Sequence, residues 1–134
     1  MDATIKKAWV KNLRSGQYRK GRGFLAQKSA SATTGDKFCC LGVLCDMAVQ
    51  AGVIPAPVET ETVDYDGMDI RAYLYEKNEG SLPEAVRKWA GMTSTDVEYR
   101  GQVVALVSLN DGDECEGIKP MSHRKIADLI DASL

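Results

Sequence analysis

The sequence predicts one compact α+β domain with about four helices and a small antiparallel sheet that includes a hairpin. Apolar residues recur at helical spacing near both ends of the chain and in residues 37–51, whereas they alternate in residues 60–76. These segments follow one another in mixed order, which favours an α+β arrangement over a regular strand–helix repeat. The 134 residues suffice for one hydrophobic core but are few for two, so we expect residues 1–134 to form a single domain.

Composition narrows the class of protein further. The chain is 44% hydrophobic and 27% charged, which is typical of a globular protein. Its longest apolar runs fall far short of the about 20 residues that cross a bilayer, so we expect no membrane partner. Residues 1–22 lack the apolar segment of a secretory signal, which favours the cytoplasm.

The N-terminal segment predicts an amphipathic helix that runs to about Ser15. Trp9 and Leu13 lie four residues apart on its apolar stripe. Asp2 or Thr4 is suited to cap its first turn, and a glycine directly after Ser15 is suited to end it.

Residues 37–51 are the most apolar stretch and predict a central, buried helix. Gly42 lies inside it at a cost of about 1 kcal/mol relative to alanine, so we expect another element to approach closely there. Cys39, Cys40 and Cys45 belong to the same stretch and lack a Cys-x-x-Cys spacing, which predicts core residues in a reducing compartment rather than a zinc site. We expect no metal and no cofactor.

Two further segments predict a surface loop and a β-hairpin. Residues 29–36 are small and polar and predict a surface loop. Residues 60–76 alternate on both sides of Asp66 and Gly67, which predicts a β-hairpin with a two-residue type I′ turn.

The C-terminal half predicts a short helix, an ambiguous segment and a final helix. Ser81–Glu84 matches a capping box that opens a helix through Ala90. Val103–Leu109 fits either a buried strand or a buried helical turn. Residues 110–112 predict a turn, and Ser122 is suited to cap the last helix.

Charge is distributed unevenly along the chain. The first 37 residues contain nine Lys or Arg and two Asp or Glu, whereas the remainder contains eight and seventeen. Binding of duplex DNA is disfavoured, because the acidic remainder weakens the field of the basic segment. A small anion stays compatible with this distribution.

Residues 16–23 combine three glycines with three cations, which predicts a loop that brings backbone N–H groups close to an anion. A small phosphate-bearing ligand with a planar ring suits such a loop, because guanidinium groups bind phosphates and flat side chains stack on rings. The candidate ligand-binding residues are Arg14, Tyr18, Arg19, Lys20 and Arg22, together with Asn110 and Asp111 as readers of a base edge. One such loop would bind weakly, so we expect the site at the interface of a symmetric homo-oligomer. The alternative is a solvated basic turn that pairs with the acidic hairpin.

Motifs of catalysis do not occur in the sequence, which has no Ser-His-Asp order, P-loop or metalloprotease signature. His123 lies at the start of a helix, where positive charge is disfavoured, and predicts a surface role rather than a general base. The acidic residues 110–116 lack the spacing of an EF-hand and predict a polar turn. We therefore assign no catalytic residue and no metal ligand.

Six short strings occur together along nearly the whole chain. They are Trp9-Val-x2-Leu13-Arg-Ser-Gly16, Gly21-x-Gly23-x-Leu25, Phe38-Cys-Cys-Leu-Gly-Val-Leu-Cys-Asp46, Leu82-Pro83…Trp89-x-Gly91, Leu109-Asn-Asp111 and Ile126-Ala-Asp-Leu-Ile130. In these strings the sequence resembles small proteins encoded by tailed bacteriophages, prophages and some bacteria. The resemblance implies an accessory protein in the cytoplasm of an infected bacterial host.

Phage proteins of this size often inhibit host defence, and some bind the cyclic nucleotide signals of systems such as CBASS and Thoeris. From the resemblance we expect an anti-defence sponge, an oligomeric protein that sequesters a cyclic nucleotide immune signal without cleaving it. Two alternatives stay open. The acidic hairpin, residues 59–76, would mimic nucleic acid and inhibit a host defence protein, or the chain would be a small nucleotide hydrolase.

Overall fold

The computed structural model describes residues 1–29 and 34–134 of the chain. Within these residues it contains five helices and seven strands, and it confirms the α+β class. The helices are α1 (Ala3–Arg14), α2 (Cys40–Gln50), α3 (Glu84–Trp89), α4 (Leu106–Asp111) and α5 (His123–Ser133). The strands are β1 (Arg19–Lys20), β2 (Ala26–Gln27), β3 (Lys37–Phe38), β4 (Val58–Val63), β5 (Asp69–Leu74), β6 (Asp96–Tyr99) and β7 (Gln102–Ala105). The middle of the surface loop predicted over residues 29–36 lies outside the described residues.

The larger sheet places the basic N-terminal loop in the same layer as the hairpin. Its strand order is β1-β3-β2-β5-β4, and β6 with β7 forms a separate antiparallel pair. The larger sheet is mixed rather than antiparallel, because β1 and β3 pair in parallel. The chain reverses between β1 and β2 and again between β2 and β3, so β1 and β3 run in the same direction.

Helix α1 forms as the sequence predicts and packs by its apolar stripe. The Asp2 carboxylate accepts a hydrogen bond from the N–H of Ile5 at 2.9 Å, which identifies Asp2 as the N-cap. Trp9 and Leu13 are buried, and the Trp9 Nε1 donates to the carbonyl of Cys40 at 2.9 Å. This bond ties α1 to the first turn of α2. None of the helices in residues 1–29 and 34–134 has the length and apolar character needed to cross a membrane.

The hydrophobic core surrounds α2, whose residues from Cys40 to Cys45 are all buried. A Cβ added to Gly42 would lie 1.7 Å from the carbonyl oxygen of Leu25. This contact confirms the close approach that the sequence predicts at Gly42. Cys39 caps the helix, since its Sγ accepts a hydrogen bond from the N–H of Gly42 at 3.3 Å.

The predicted hairpin is present, but its turn has three residues and the type I′ prediction is wrong. The N–H of Asp64 donates to the carbonyl of Met68 at 2.9 Å, which leaves Tyr65–Gly67 as the loop. Of these three residues only Gly67 has a positive φ, at 75°, whereas a type I′ turn needs two such residues. The Asp64 carboxylate holds the loop by accepting from the N–H groups of Asp66 and Met68, both at 2.9 Å.

Helix α3 begins later than the capping box predicts. Pro83 is the N-cap and no side chain caps the helix. A residue before proline disfavours the helical conformation, so Leu82 cannot serve as the first helical residue after Ser81. Glu84 instead binds Arg87 within the helix, with an O–N distance of 2.6 Å.

The segment Val103–Leu109, which fits a strand or a helical turn by sequence, is part strand and part helix. Strand β7 ends at Ala105, and α4 begins at Leu106, which is buried together with Leu109 on the next turn. Asn110 therefore belongs to the last turn of α4 rather than to the free turn predicted over residues 110–112. The helix ends at Gly112, which has a φ of 84°.

Helix α5 agrees with the sequence in its cap and in its apolar face. The Ser122 side chain accepts a hydrogen bond from the N–H of Lys125 at 3.3 Å. Ile126 and Ile130 are fully buried against the rest of the core. Helix α5 also packs along α1, which brings the two ends of the chain together.

Candidate functional site

A cleft of about 230 Å³ lies between the basic N-terminal loop and the hairpin turn; we refer to it as the basic cleft. Its lining residues are Lys20, Gly21, Arg22, Gln27, Lys37, Asp64, Tyr65 and Asp66. Strands β1 and β3 supply Lys20 and Lys37, while the hairpin turn supplies the opposite wall. Three cations thus meet one aromatic ring and two carboxylates in a single small space.

Asn110 supports the basic cleft from behind and is fully buried. Its Nδ2 donates to the carbonyl of Gly21 at 2.9 Å, and its Oδ1 accepts from the N–H of Cys40 at 3.1 Å. The Lys20 Nζ donates to the backbone carbonyl of Asn110 at 2.5 Å. One side chain therefore joins the loop, the start of α2 and the end of α4, and we refer to this group of contacts as the junction.

The glycine-rich loop already holds a negative charge, which belongs to the protein itself. The N–H of Gly23 donates to the Asp111 carboxylate at 3.0 Å, and the N–H of Gly21 donates to the carbonyl of Phe38 at 2.8 Å. The same Asp111 oxygen accepts from the Asn110 side chain at 2.8 Å. These two N–H groups are therefore not available to a ligand, and its recognition rests on side chains.

Lys20 lies half-buried at the edge of the junction and lines the basic cleft. Burial lowers its pKa, since the charged ammonium is less stable away from water, while the nearby carboxylate of Asp111 acts in the opposite direction. A perturbed, partly buried lysine in a cleft is typical of a functional position.

Arg22 and Tyr65 connect the two walls of the basic cleft. The guanidinium carbon lies 4.6 Å from the centroid of the phenol ring, within the range of a cation–π contact. Tyr65 stays 64% exposed, so much of its surface faces solvent. A Cβ at Gly23 would lie 2.7 Å from Tyr65 Cε2, so the absent side chain is what lets the ring approach the loop.

Of the predicted ligand residues, Arg14, Tyr18 and Arg19 lie outside the basic cleft. Arg14 pairs with Asp128 on α5 at 2.7 Å, and the Arg19 guanidinium donates to a backbone carbonyl at 2.9 Å. The Tyr18 hydroxyl donates to the carboxylate of Asp46 at 2.5 Å, and burial together with that carboxylate raises the pKa of Tyr18 to about 12.

Four of the seven predicted residues do meet, but in two different roles. Lys20 and Arg22 line the basic cleft, while Asn110 and Asp111 hold its backbone from the junction. The alternative prediction pairs the basic turn with the acidic hairpin. The loop does contact the hairpin, but through the cation–π pair of Arg22 and Tyr65. The hairpin carboxylate of Glu59 pairs with Lys28 at 2.9 Å.

Sequence reasoning missed Lys37 and Gln27 as parts of a site, and it considered the turn residues only as part of the acidic decoy. Lys37 and Gln27 are paired in the sheet, and this pairing is what carries both to the edge of the basic cleft. Tyr65 directly precedes the Asp-Gly turn, and an exposed aromatic residue at that position was the one available signal.

The reactive side chains of the core are held neutral. His123 is 6% exposed and its Nε2 donates to the carbonyl of Phe38 at 3.0 Å, so its predicted surface position is wrong. The start of α5, where His123 lies, is hydrogen-bonded to β3 and buried, and burial lowers the pKa of His123. Burial also raises the pKa of Cys39 to about 11 and the pKa of Cys40 and Cys45 above their usual value, which disfavours the reactive thiolate.

The described residues contain no group of three or more His, Cys, Asp or Glu side chains arranged to hold a metal ion. The chain matches the model of a protein family over residues 1–134, and that family is described as a domain of unknown function, DUF8296. The chain belongs to the DUF8296 family. No curated protein and no solved structure matches it.

In this DUF8296 protein, the basic cleft offers charge and a flat surface rather than a nucleophile. The three cations are suited to bind phosphate oxygens, and the Arg22–Tyr65 pair is suited to contact a planar ring. Such an arrangement is chemically appropriate for a ligand that is both anionic and aromatic.

Proposed function

We propose that the protein binds a small phosphate-bearing nucleotide in the basic cleft and sequesters it without cleaving it. The observation that carries this proposal is the convergence of Lys20, Arg22 and Lys37 on one cleft. The ion pairs of the described residues use other cations, namely Arg14, Lys28, Arg71, Arg87 and Lys88. Within those residues the three cations of the cleft are in no ion pair, so their charge is available to an external anion, although Lys20 also donates to the Asn110 carbonyl and Arg22 contacts Tyr65.

The aromatic part of a nucleotide fits the hairpin side of the basic cleft. Bases stack on phenol rings and on guanidinium planes, and such stacking contributes about 1–3 kcal/mol per base. Tyr65 and Arg22 supply one surface of each kind within 4.6 Å of each other. Phosphate recognition and base stacking are thus available at adjacent positions.

The size of the basic cleft favours a second copy of the chain at the site. Its volume of about 230 Å³ is below the roughly 300–1,000 Å³ of pockets that enclose a complete small ligand. A cyclic dinucleotide has two phosphates and two bases, so two clefts that face each other across a symmetry axis would share one ligand. We therefore propose a homo-oligomer as the binding form.

The resemblance of the sequence to phage-encoded proteins indicates the cell and the process in which the proposed binding would take place. An anti-defence protein in the cytoplasm of an infected bacterium would hold a cyclic nucleotide immune signal away from its receptor. Sequestration is favoured over hydrolysis because the described thiols of the core and His123 are buried, do not line the basic cleft, and are kept uncharged by burial.

The alternative of an acidic decoy has less support, because the hairpin is partly neutralised by its own cations. Glu59 pairs with Lys28 at 2.9 Å and with Arg71 at 3.0 Å, and Glu61 pairs with Arg71 at 3.4 Å. A mimic of nucleic acid needs a row of unpaired negative charges, and these pairs interrupt it.

A capture experiment tests the proposal directly. The purified protein is incubated with a panel of cyclic mono- and dinucleotides, separated from free ligand and boiled, and the released molecules are identified by chromatography. We expect at least one intact nucleotide to be depleted from solution and recovered on boiling. Recovery of a cleavage product would indicate a hydrolase, and no depletion by any member of the panel would overturn nucleotide binding.

Variants with matched charge locate the site. Arg22→Ala with Lys37→Ala removes two cations from the basic cleft, whereas Lys7→Ala with Lys11→Ala removes two from the exposed face of α1. We expect the first pair to weaken capture by about tenfold or more and the second to leave it unchanged. Equal effects of the two pairs, at unchanged circular dichroism, would show that general charge rather than the basic cleft binds the nucleotide.

A further inference from the structure

The hairpin wall of the basic cleft carries two carboxylates that the proposed phosphate site does not explain. Asp64 and Asp66 both line it, on either side of Tyr65 in the chain. One oxygen of Asp64 accepts the two N–H groups of the turn. In the part of the chain that the structure describes, its other oxygen and the whole Asp66 carboxylate have no hydrogen-bond or ion-pair partner.

The carboxylates and the cations of the basic cleft make no direct ion pair with each other. No ion pair within residues 1–29 and 34–134 joins Asp64 or Asp66 to Lys20, Arg22 or Lys37. A bare phosphate would satisfy the cations but would be repelled by the opposite wall. A ligand that satisfies both walls must present an anion on one side and hydrogen-bond donors on the other.

We propose that the basic cleft selects nucleotides whose base bears an exocyclic amino group, and that Asp66, with Asp64, is the group that reads it. This inference rests on the proposed function. With the phosphate at the cations and the base on Tyr65, the edge of the base is directed to the residues on either side of that ring. Adenine at C6 and cytosine at C4 each carry an amino donor that a carboxylate accepts.

Bases with a carbonyl in the same position are rejected for an electrostatic reason. Hypoxanthine differs from adenine, and uracil from cytosine, by an oxygen in place of the amino group and by a hydrogen on the adjacent ring nitrogen. That oxygen accepts hydrogen bonds and would face the carboxylate of Asp66, which is also an acceptor, so the hydrogen bond of the amino group is lost. The ring N–H lies on the neighbouring atom, and the base must shift from its position on Tyr65 to donate it to Asp66. Asp66 is exposed, so water solvates its carboxylate when the base does not, and the expected discrimination is that of one hydrogen bond to a charged group.

Pairs of mononucleotides provide the experiment. The dissociation constants of adenosine and inosine monophosphate, and of cytidine and uridine monophosphate, are measured by calorimetry on the full chain. We expect the amino-bearing member of each pair to bind about tenfold more tightly or better. Asp66→Asn replaces an obligate acceptor by a group that also donates, and we expect it to reduce the ratio to about twofold or less.

Asp69→Asn is the matched control, since Asp69 is an exposed carboxylate of the same hairpin that does not line the basic cleft. We expect it to leave both ratios as they are in the parent protein. Equal binding of adenosine and inosine monophosphate, with affinity lost in Arg22→Ala, would overturn the base selectivity and leave nucleotide binding intact. Absence of binding by all four mononucleotides would overturn the base selectivity, whereas nucleotide binding itself is decided by the capture experiment with cyclic nucleotides. Tighter binding of the carbonyl-bearing members would overturn the selectivity alone.

Discussion

The junction behind the basic cleft and the outer face of α1 use similar hydrogen bonds in very different surroundings. Asn110 is fully buried and its side chain links three segments of the chain. Arg14 pairs with Asp128 at 2.7 Å, but the two side chains are 43% and 70% exposed. Water competes for the second contact and not for the first, so we expect burial to decide how much each contributes to stability.

The largest effect is expected at the packing contact beside the junction. Gly42→Ala places a methyl group 1.7 Å from the carbonyl oxygen of Leu25, and neither backbone can move without disturbing the core. We expect the free energy of unfolding to fall by about 3 kcal/mol or more, as measured by urea denaturation. Gly80→Ala is the control, because its nearest contact would be an ordinary 3.7 Å; similar losses in both variants would contradict the role of the Gly42 contact.

The second-largest fall in the free energy of unfolding is expected when the hydrogen bonds of the junction are removed. Asn110→Ala removes the partners of the Cys40 N–H and the Gly21 carbonyl in the interior. Each unsatisfied group costs about 1–3 kcal/mol, so the loss should approach that of Gly42→Ala. Asn12→Ala, on the half-exposed side of α1, should change stability by less than about 0.7 kcal/mol, since alanine favours a helix. A small loss at Asn110 would mean that water replaces its side chain.

The smallest effect is expected on the outer face. Arg14→Ala breaks the pair with Asp128 and should lower the free energy of unfolding by no more than about 1 kcal/mol. The difference from the parent protein should shrink in high salt, because screening already weakens an exposed pair. A loss as large as that of Asn110→Ala, or one insensitive to salt, would remove the contrast between the two regions.

The buried contacts of the junction also hold the backbone that carries the cations of the basic cleft. Lys20 reaches the cleft while its Nζ donates to the Asn110 carbonyl, and Asp111 holds the loop by the N–H of Gly23. The cations of the cleft are therefore carried by a backbone that buried contacts fix. A ligand would then bind to positioned side chains and would order fewer of them.

Local signals in the sequence were sufficient for α1, α5 and the hairpin strands. Asp2 and Ser122 cap their helices, and the apolar spacing of residues such as Trp9 and Ile126 marks the buried face. Each of these features depends on residues within a few positions of one another, so the chain carries the information locally. The close approach at Gly42 was predictable for the same reason. Glycine inside an apolar helix lowers its stability, and a close contact with another element offsets that cost.

Tertiary structure alone decided the burial of Asn110 and His123 and the membership of the basic cleft. Asn110 and Gly21 are 89 positions apart, and the Phe38 carbonyl that His123 binds is 85 positions away. No local pattern specifies partners at such distances, because they are fixed by how helices and sheet pack around α2. The sequence by itself determined α1, α5, the hairpin strands and where charge is concentrated, because these depend on neighbouring residues. Packing determined how residues 103–112 divide between strand and helix, which charges face a cleft and which serve the fold.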